Sequence, residues 1–130
     1  MAEILIVDDE PSILALFRYV FEDAGHVVVT AKNGLEALET LSKITPDFMV
    51  LDVSMPEMSG KEFIVELNRR TALDARLGGI PFVVMTGENF MEAELNKVFS
   101  RARGFVCYFT KMTPPEMILQ KAVEIIGGRN

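Results

Sequence analysis

Five polar side chains stand where apolar runs end. Asp8 and Asp9 follow Ile4-Leu5-Ile6-Val7, Asp52 follows Phe48-Met49-Val50-Leu51, and Thr86 follows Phe82-Val83-Val84-Met85. Lys111 comes two residues after Phe105-Val106-Cys107-Tyr108-Phe109. Adjacent carboxylates repel one another at a strand end, and a divalent cation would offset that repulsion and lower their proton affinity. Hard oxygen ligands with a few carboxylates among them suit Mg²⁺, which keeps several waters and often engages phosphate. Asp52 has a different potential. A carboxylate is a nucleophile toward phosphorus and forms an acyl phosphate, a transfer that consists mostly of positioning and of neutralising the equatorial oxygens. Mg²⁺ could bridge Asp52 and the phosphoryl group, Lys111 could meet a second phosphoryl oxygen and Thr86 a third, with no separate general base. Each residue also has a plain reading. Acids at a loop start cap the helix that begins near Pro11, a threonine after a strand forms turns, and a lysine near a strand end is solvated. The coincidence at four strand ends favours the chemistry.

Elements must bring those ends together. The strand-like runs are the four just named with Val27-Val28-Val29, and most are nearly continuous in apolar residues, as parallel strands covered on both faces are. Helical spacing fills the intervals. Ile13, Phe17, Val20 and Phe21 follow Pro11 until Gly25; Leu35, Leu38 and Leu41 follow Asn33-Gly34; Phe63, Ile64 and Leu67 mark residues 60–70. Phe90, Leu95, Val98 and Phe99 mark residues 88–102, and Ile118, Ala122, Ile125 and Ile126 run from Pro114-Pro115 to Gly127-Gly128. Five strands alternating with five helices on short connections read as an α/β doubly wound parallel sheet. Function in such sheets sits beyond the carboxyl ends of the strands, where Asp8, Asp9, Asp52, Thr86 and Lys111 fall. Periodicity leaves the strand order open.

Composition bounds the rest. The 130 residues, 49% hydrophobic, fit one domain with one core, without repeats or a linker, so residues 1–130 read as a single domain. No apolar run approaches the roughly 20 residues that span a bilayer, and the start MAEILIVDD lacks the features of a signal peptide. The lone Cys107 cannot form an internal disulfide, which points to a reducing compartment and the cytoplasm. A net charge of −6 opposes direct binding to nucleic acid. Eleven acids against three bases in residues 1–60 make that half suited to a cation, although solvated helix faces account for most of them. His26 and Cys107 have no nearby partners for metal or nucleophilic work and read as structural. Met55, Met58 and Met112 could together form an adaptable partner surface.

The segments ILIVDDEP, AKNGLEALE, DFMVLDVSMPEMSG, PFVVMTG and GFVCYFTK, in this order and spacing, make the chain resemble a response-regulator receiver domain of two-component signalling over essentially its whole length. The resemblance implies a flavodoxin-like (βα)5 fold with strand order 2-1-3-4-5. It implies Asp52 as phospho-acceptor, and Asp8, Asp9, Asp52 and the Ser54 backbone carbonyl around Mg²⁺. It also implies Thr86 as switch hydroxyl, Lys111 as the phosphate-contacting lysine and Tyr108 as switch aromatic, although Phe105, Tyr108 and Phe109 could equally be core. The implied partners are a histidine kinase or phosphotransfer protein and a downstream protein, or a second copy, on the face of helix four, strand five and helix five. That face includes Phe90, Lys97, Tyr108 and the segment from Pro114 to Ala122. Glu88, two beyond Thr86, takes a position that tunes autodephosphorylation in such domains, as does Ser54. One departure stands out. The family usually has proline after the lysine, often cis, whereas Met112 follows Lys111 here; a cis bond before a non-proline costs about 3 kcal/mol, so a trans bond is expected.

The expected function is a phosphorylation-operated signalling module rather than a conventional enzyme, stand-alone or excised from a longer protein, without membrane insertion. A phosphatase working through an aspartyl-phosphate commonly wants a second carboxylate two residues after the nucleophile, where Ser54 stands. A flavodoxin-like cofactor binder needs a glycine- or hydroxyl-rich loop after the first strand, where Asp-Asp-Glu-Pro stands. A receiver-like binding module that is never phosphorylated is the remaining alternative.

Overall fold

The computed structural model describes residues 2–87 and 93–128. Strand β1 (Glu3–Val7) leads to helix α1 (Pro11–Asp23), then β2 (Val27–Ala31), α2 (Gly34–Leu41) and β3 (Phe48–Asp52). Helix α3 (Gly60–Thr71) and a 3₁₀ turn (Ala75–Gly79) follow, then β4 (Phe82–Thr86), α4 (Ala93–Ser100), β5 (Phe105–Thr110) and α5 (Pro115–Gly127). The five strands form one parallel sheet in the order β2-β1-β3-β4-β5. The flavodoxin-like doubly wound fold is therefore the observed one.

Local chemistry sets the helix ends. Pro11 opens α1 with its φ already suited to a first turn. Gly25, at φ +91°, supplies the left-handed residue after the helix, and His26 N–H then donates to the Phe21 carbonyl at 3.1 Å. Ser59 and Glu62 exchange hydrogen bonds in a capping box at the start of α3, and Arg69 and Arg70 lie in its negative last turn.

Period-two alternation divides each buried strand between two layers. Ile4 and Ile6 of β1, with Phe48, Val50, Val83 and Met85, pack on Phe17 and Phe21 of α1 and on Ile118 and Ala122 of α5. Leu5, Val7, Met49, Leu51 and Val84 face the other way, onto Leu38, Leu41, Phe63, Ile64, Leu67 and Phe99. Each of these large side chains, fully buried, contributes roughly 1.5–3 kcal/mol.

Three expectations change. Leu35 is exposed, because the buried stripe of α2 runs through Gly34, Ala37, Leu38 and Leu41 and leaves Leu35 on its outer edge. Strand β5 is half-buried along its length, as an edge strand is, rather than fully covered. Met55 and Met58 pack against the core while Met112 is 91% exposed, so the three methionines form no common surface. Glu88 and Phe90 lie outside the described residues, as does the first part of the helix expected from residue 88. The peptide bond between Lys111 and Met112 is trans, as its residues require. Among the described residues, no helix is long and apolar enough to cross a membrane.

Candidate functional site

Parallel pairing puts every strand's carboxyl end on one edge, and the register levels those ends. Val7 pairs with Leu51, Asp52 with Met85 and Thr86 with Thr110. Asp8 therefore emerges beside Asp52 across β1 and β3, while Thr86 and Lys111 emerge beside each other across β4 and β5. Backbone bonds continue the ladder past the strands. Asp8 N–H donates to the Ala31 carbonyl at 3.0 Å and Lys111 N–H to the Thr86 carbonyl at 2.9 Å.

One carboxylate oxygen from each of Asp8, Asp9 and Asp52 lies within 4.8 Å of the others. Asp52 is 1% exposed and Asp8 8%, whereas Asp9 is exposed. Asp52 Oδ1 takes the Lys111 ammonium at 2.9 Å and the Ser54 backbone N–H at 3.4 Å. Asp52 Oδ2 is buried and has no hydrogen-bond partner. Asp8 Oδ1 accepts the Glu10 backbone N–H at 2.9 Å. That bond stabilises the turn into α1, but Glu10, which occupies the cap position itself, makes no side-chain cap. Capping therefore explains part of Asp8 and nothing of Asp9 or Asp52.

Electrostatics follow from burial. The Asp8 carboxyl is pushed up to about 6, first by desolvation and further by the charges of Asp52 and Asp9, against the Glu10 N–H and Lys111. Asp52 is raised by desolvation too, opposed by the hydrogen bond and charge of Lys111 and by the Ser54 N–H. Burial pulls the Lys111 ammonium down, but the Asp52 hydrogen bond and the surrounding carboxylates outweigh it and leave it raised. One ammonium does not balance three carboxylates. Buried ionised groups need a partner, and the orphaned Asp52 Oδ2 beside Asp8 and Asp9 is what a divalent cation would complete. The donor set, all oxygen and mostly carboxylate, fits Mg²⁺.

Around this cluster, Thr86 is buried at the end of β4. A cavity of about 270 Å³ opens beside Asp8 and Lys111, lined also by Ile13, Phe17 and Met85 among others. Tyr108 packs its ring edge-on to Phe99 at 6.2 Å and against Phe105 at 4.9 Å, and burial raises its phenol. Its packing role is thus plain. Met112 points into solvent. His26 and Cys107 sit apart, as expected: His26 Nδ1 accepts the Ala2 N–H at 3.2 Å, and burial raises the Cys107 thiol. Asn33, read from the sequence only as a helix start, is 3% exposed and touches the loop after Asp52.

The response regulator receiver domain model matches residues 4–123. The chain belongs to the response regulator receiver family. Receiver domains are signalling domains of two-component systems rather than conventional enzymes. This receiver is 30% identical to Protein PilH of Pseudomonas aeruginosa over 98% of its own length and all of PilH. It is 32% identical to the alkaline phosphatase synthesis transcriptional regulatory protein PhoP of Bacillus subtilis, over 95% of its length but 48% of PhoP. Among solved structures, chemotaxis response regulator CheY4 of Vibrio cholerae superposes with a TM-score of 0.78 at 31% identity, covering 97% of this chain and 98% of that one. A receiver domain protein of Methanospirillum hungatei superposes at 0.80 with 28% identity, covering 98% and 95%.

Proposed function

We propose that the receiver takes a phosphoryl group from a histidine kinase or phosphotransfer protein onto Asp52. The observation that carries this is the buried Asp52 Oδ2, unpartnered, with its sister oxygen held by Lys111. An Asp52 oxygen attacks phosphorus, the donor's P–N bond breaks and its electron pair stays with the donor imidazole. Asp8, Asp9, Asp52 and the Ser54 carbonyl would hold Mg²⁺, which when bound neutralises charge on the carboxylates and the phosphoryl oxygens. Lys111 keeps its ammonium at the acceptor and takes a phosphoryl oxygen as the acyl phosphate forms. Thr86 donates its hydroxyl to another.

Drawing the Thr86 hydroxyl toward the phosphoryl group opens room for Tyr108 to turn inward, a two-state element biased by a local change of charge. The packing of Tyr108 on Phe99 and Phe105 ties that turn to α4 and β5. The output is binding through the α4–β5–α5 face, to a downstream protein or a second copy. We read residues 1–130 as one receiver unit working in the cytoplasm, without nucleic-acid contact or membrane insertion of its own.

The test is intact mass after incubation with Mg²⁺ and acetyl phosphate, beside an Asp52→Asn control. One added phosphoryl group is expected, absent with EDTA and absent in the control. No adduct, together with no perturbation by beryllofluoride and Mg²⁺, would refute the proposal.

A further inference from the structure

Asn33 is almost fully buried, and its two amide atoms do different things. Oδ1 caps α2 by accepting the Glu36 backbone N–H at 2.9 Å, a task that aspartate or serine performs equally well. Nδ2 donates to Glu57 Oε2 at 3.3 Å, a contact between residues 24 apart in the chain. Capping alone leaves that second bond unexplained.

Glu57 belongs to the loop of residues 53–59 that follows Asp52. At φ +66° it is the only described non-glycine residue in the left-handed region, which a side chain disfavours. It is the middle of a three-residue turn in which Met58 N–H donates to the Pro56 carbonyl at 2.7 Å. Such conformations persist where the surroundings over-determine them. Here the surroundings are the start of α2. Gly34 N–H donates to the Met58 carbonyl at 3.1 Å, and a Cβ on Gly34 would come within 2.7 Å of Met58 Cγ. The ends of the loop are held independently, by Val53 N–H to the Met85 carbonyl at 3.1 Å and Gly60 N–H to the Val53 carbonyl at 2.9 Å. With both ends held, relaxation of Glu57 to negative φ must be absorbed between residues 54 and 57. Ser54 lies in that stretch, and its N–H already reaches Asp52 Oδ1.

We propose that Asn33 is a positioning residue for the cation site. Its bond to Glu57 holds the left-handed turn and so sets the direction of the Ser54 carbonyl. The inference rests on the Mg²⁺ reading above, since Asn33 itself touches neither the cation nor Asp52 in it.

Three variants test this by Mg²⁺ calorimetry and, separately, by backbone amide exchange in EDTA. Asn33→Asp keeps the cap, loses the donor and sets a carboxylate against Glu57. Glu57→Gln keeps an acceptor for Asn33. The double variant reverses the polarity of the pair, Gln donating to Asp, with the same net charge as wild type. Asn33→Asp is expected to weaken Mg²⁺ about tenfold, the scale of an outer-shell partner, and to speed exchange in the loop while α2 stays protected. Its added negative charge would by itself strengthen cation binding, so weakening cannot be a direct action of that charge on the cation. Glu57→Gln should match wild type, and the double variant should recover both readouts. Wild-type affinity and exchange in Asn33→Asp, or a double variant no better than Asn33→Asp, would overturn the inference. If wild type binds no Mg²⁺, the reading of the site fails, while the exchange rates still decide whether Asn33 holds the loop.

Discussion

Replacing Asp8 with asparagine should make the cation-free protein more stable at neutral pH, the opposite of the usual result for a buried residue with a hydrogen bond. The folded carboxyl sits at about 6 instead of its ordinary 3.8, mainly through burial. Each pH unit of that displacement is worth about 1.4 kcal/mol, so ionised Asp8 costs about 3 kcal/mol at pH 7. The sign follows from proton binding. Between these two values the folded state holds the proton and the unfolded state does not, so stability falls as pH rises through that window. The stabilising effect of the proton is full below about pH 4 and is lost as pH passes through about 6. Asparagine carries no charge at any pH and its Oδ1 still accepts the Glu10 N–H. The advantage of Asp8→Asn should therefore be about 3 kcal/mol at pH 7, about half that at pH 5, and nearly nothing below pH 4. For a chain of this size that is about 10 °C in Tm at pH 7, read by circular dichroism in EDTA. Excess Mg²⁺ should then raise the wild-type Tm by mass action and leave the variant nearly unmoved. A variant less stable than wild type at pH 7 in EDTA, or an advantage that persists undiminished at pH 4, refutes the reasoning.

Other consequences are as direct. Lys111→Ala should leave Mg²⁺ binding largely intact, because the lysine is no ligand, but uncouple phosphorylation from the surface change; partner affinity after phosphorylation should stay at its unphosphorylated level, and a wild-type gain would exclude a coupling role. Gly60→Ala would bring a Cβ to 2.5 Å from the Asp52 carbonyl oxygen and 3.0 Å from Val53 Cα, both backbone. Urea unfolding should show a loss of about 1–3 kcal/mol, and a variant as stable as wild type would mean the loop gives way freely. Phe99→Ala, at a fully buried site against Tyr108, should lower stability by about 3–5 kcal/mol and shift the ring resonances of Tyr108; unchanged resonances would dissociate Tyr108 from α4.

Much of the site was legible because its geometry needs only strand ends. Any parallel sheet presents the carboxyl ends of its strands on one edge, so Asp8, Asp52, Thr86 and Lys111 could be grouped before strand order was known. What stayed hidden depends on partners distant in sequence. Asn33 looks like any helix cap until Glu57, 24 residues on, is seen against it. Leu35 shares the three-residue spacing of Leu38 and Leu41 and still lies outside, because each such step drifts about 60° around the helix and the buried stripe runs through Gly34, Ala37, Leu38 and Leu41.

The amino-acid sequence alone determined the alternation of strands and helices, the parallel sheet and the edge on which chemistry could occur, since apolar period, caps and strand ends are local properties. The tertiary structure decided which of two adjacent aspartates is buried, which oxygen of Asp52 lacks a partner, and how far proton affinity moves. Those quantities depend on desolvation and on charges brought near through space, and the ends of β1, β3 and, beyond β4, β5 come together only when the sheet has formed.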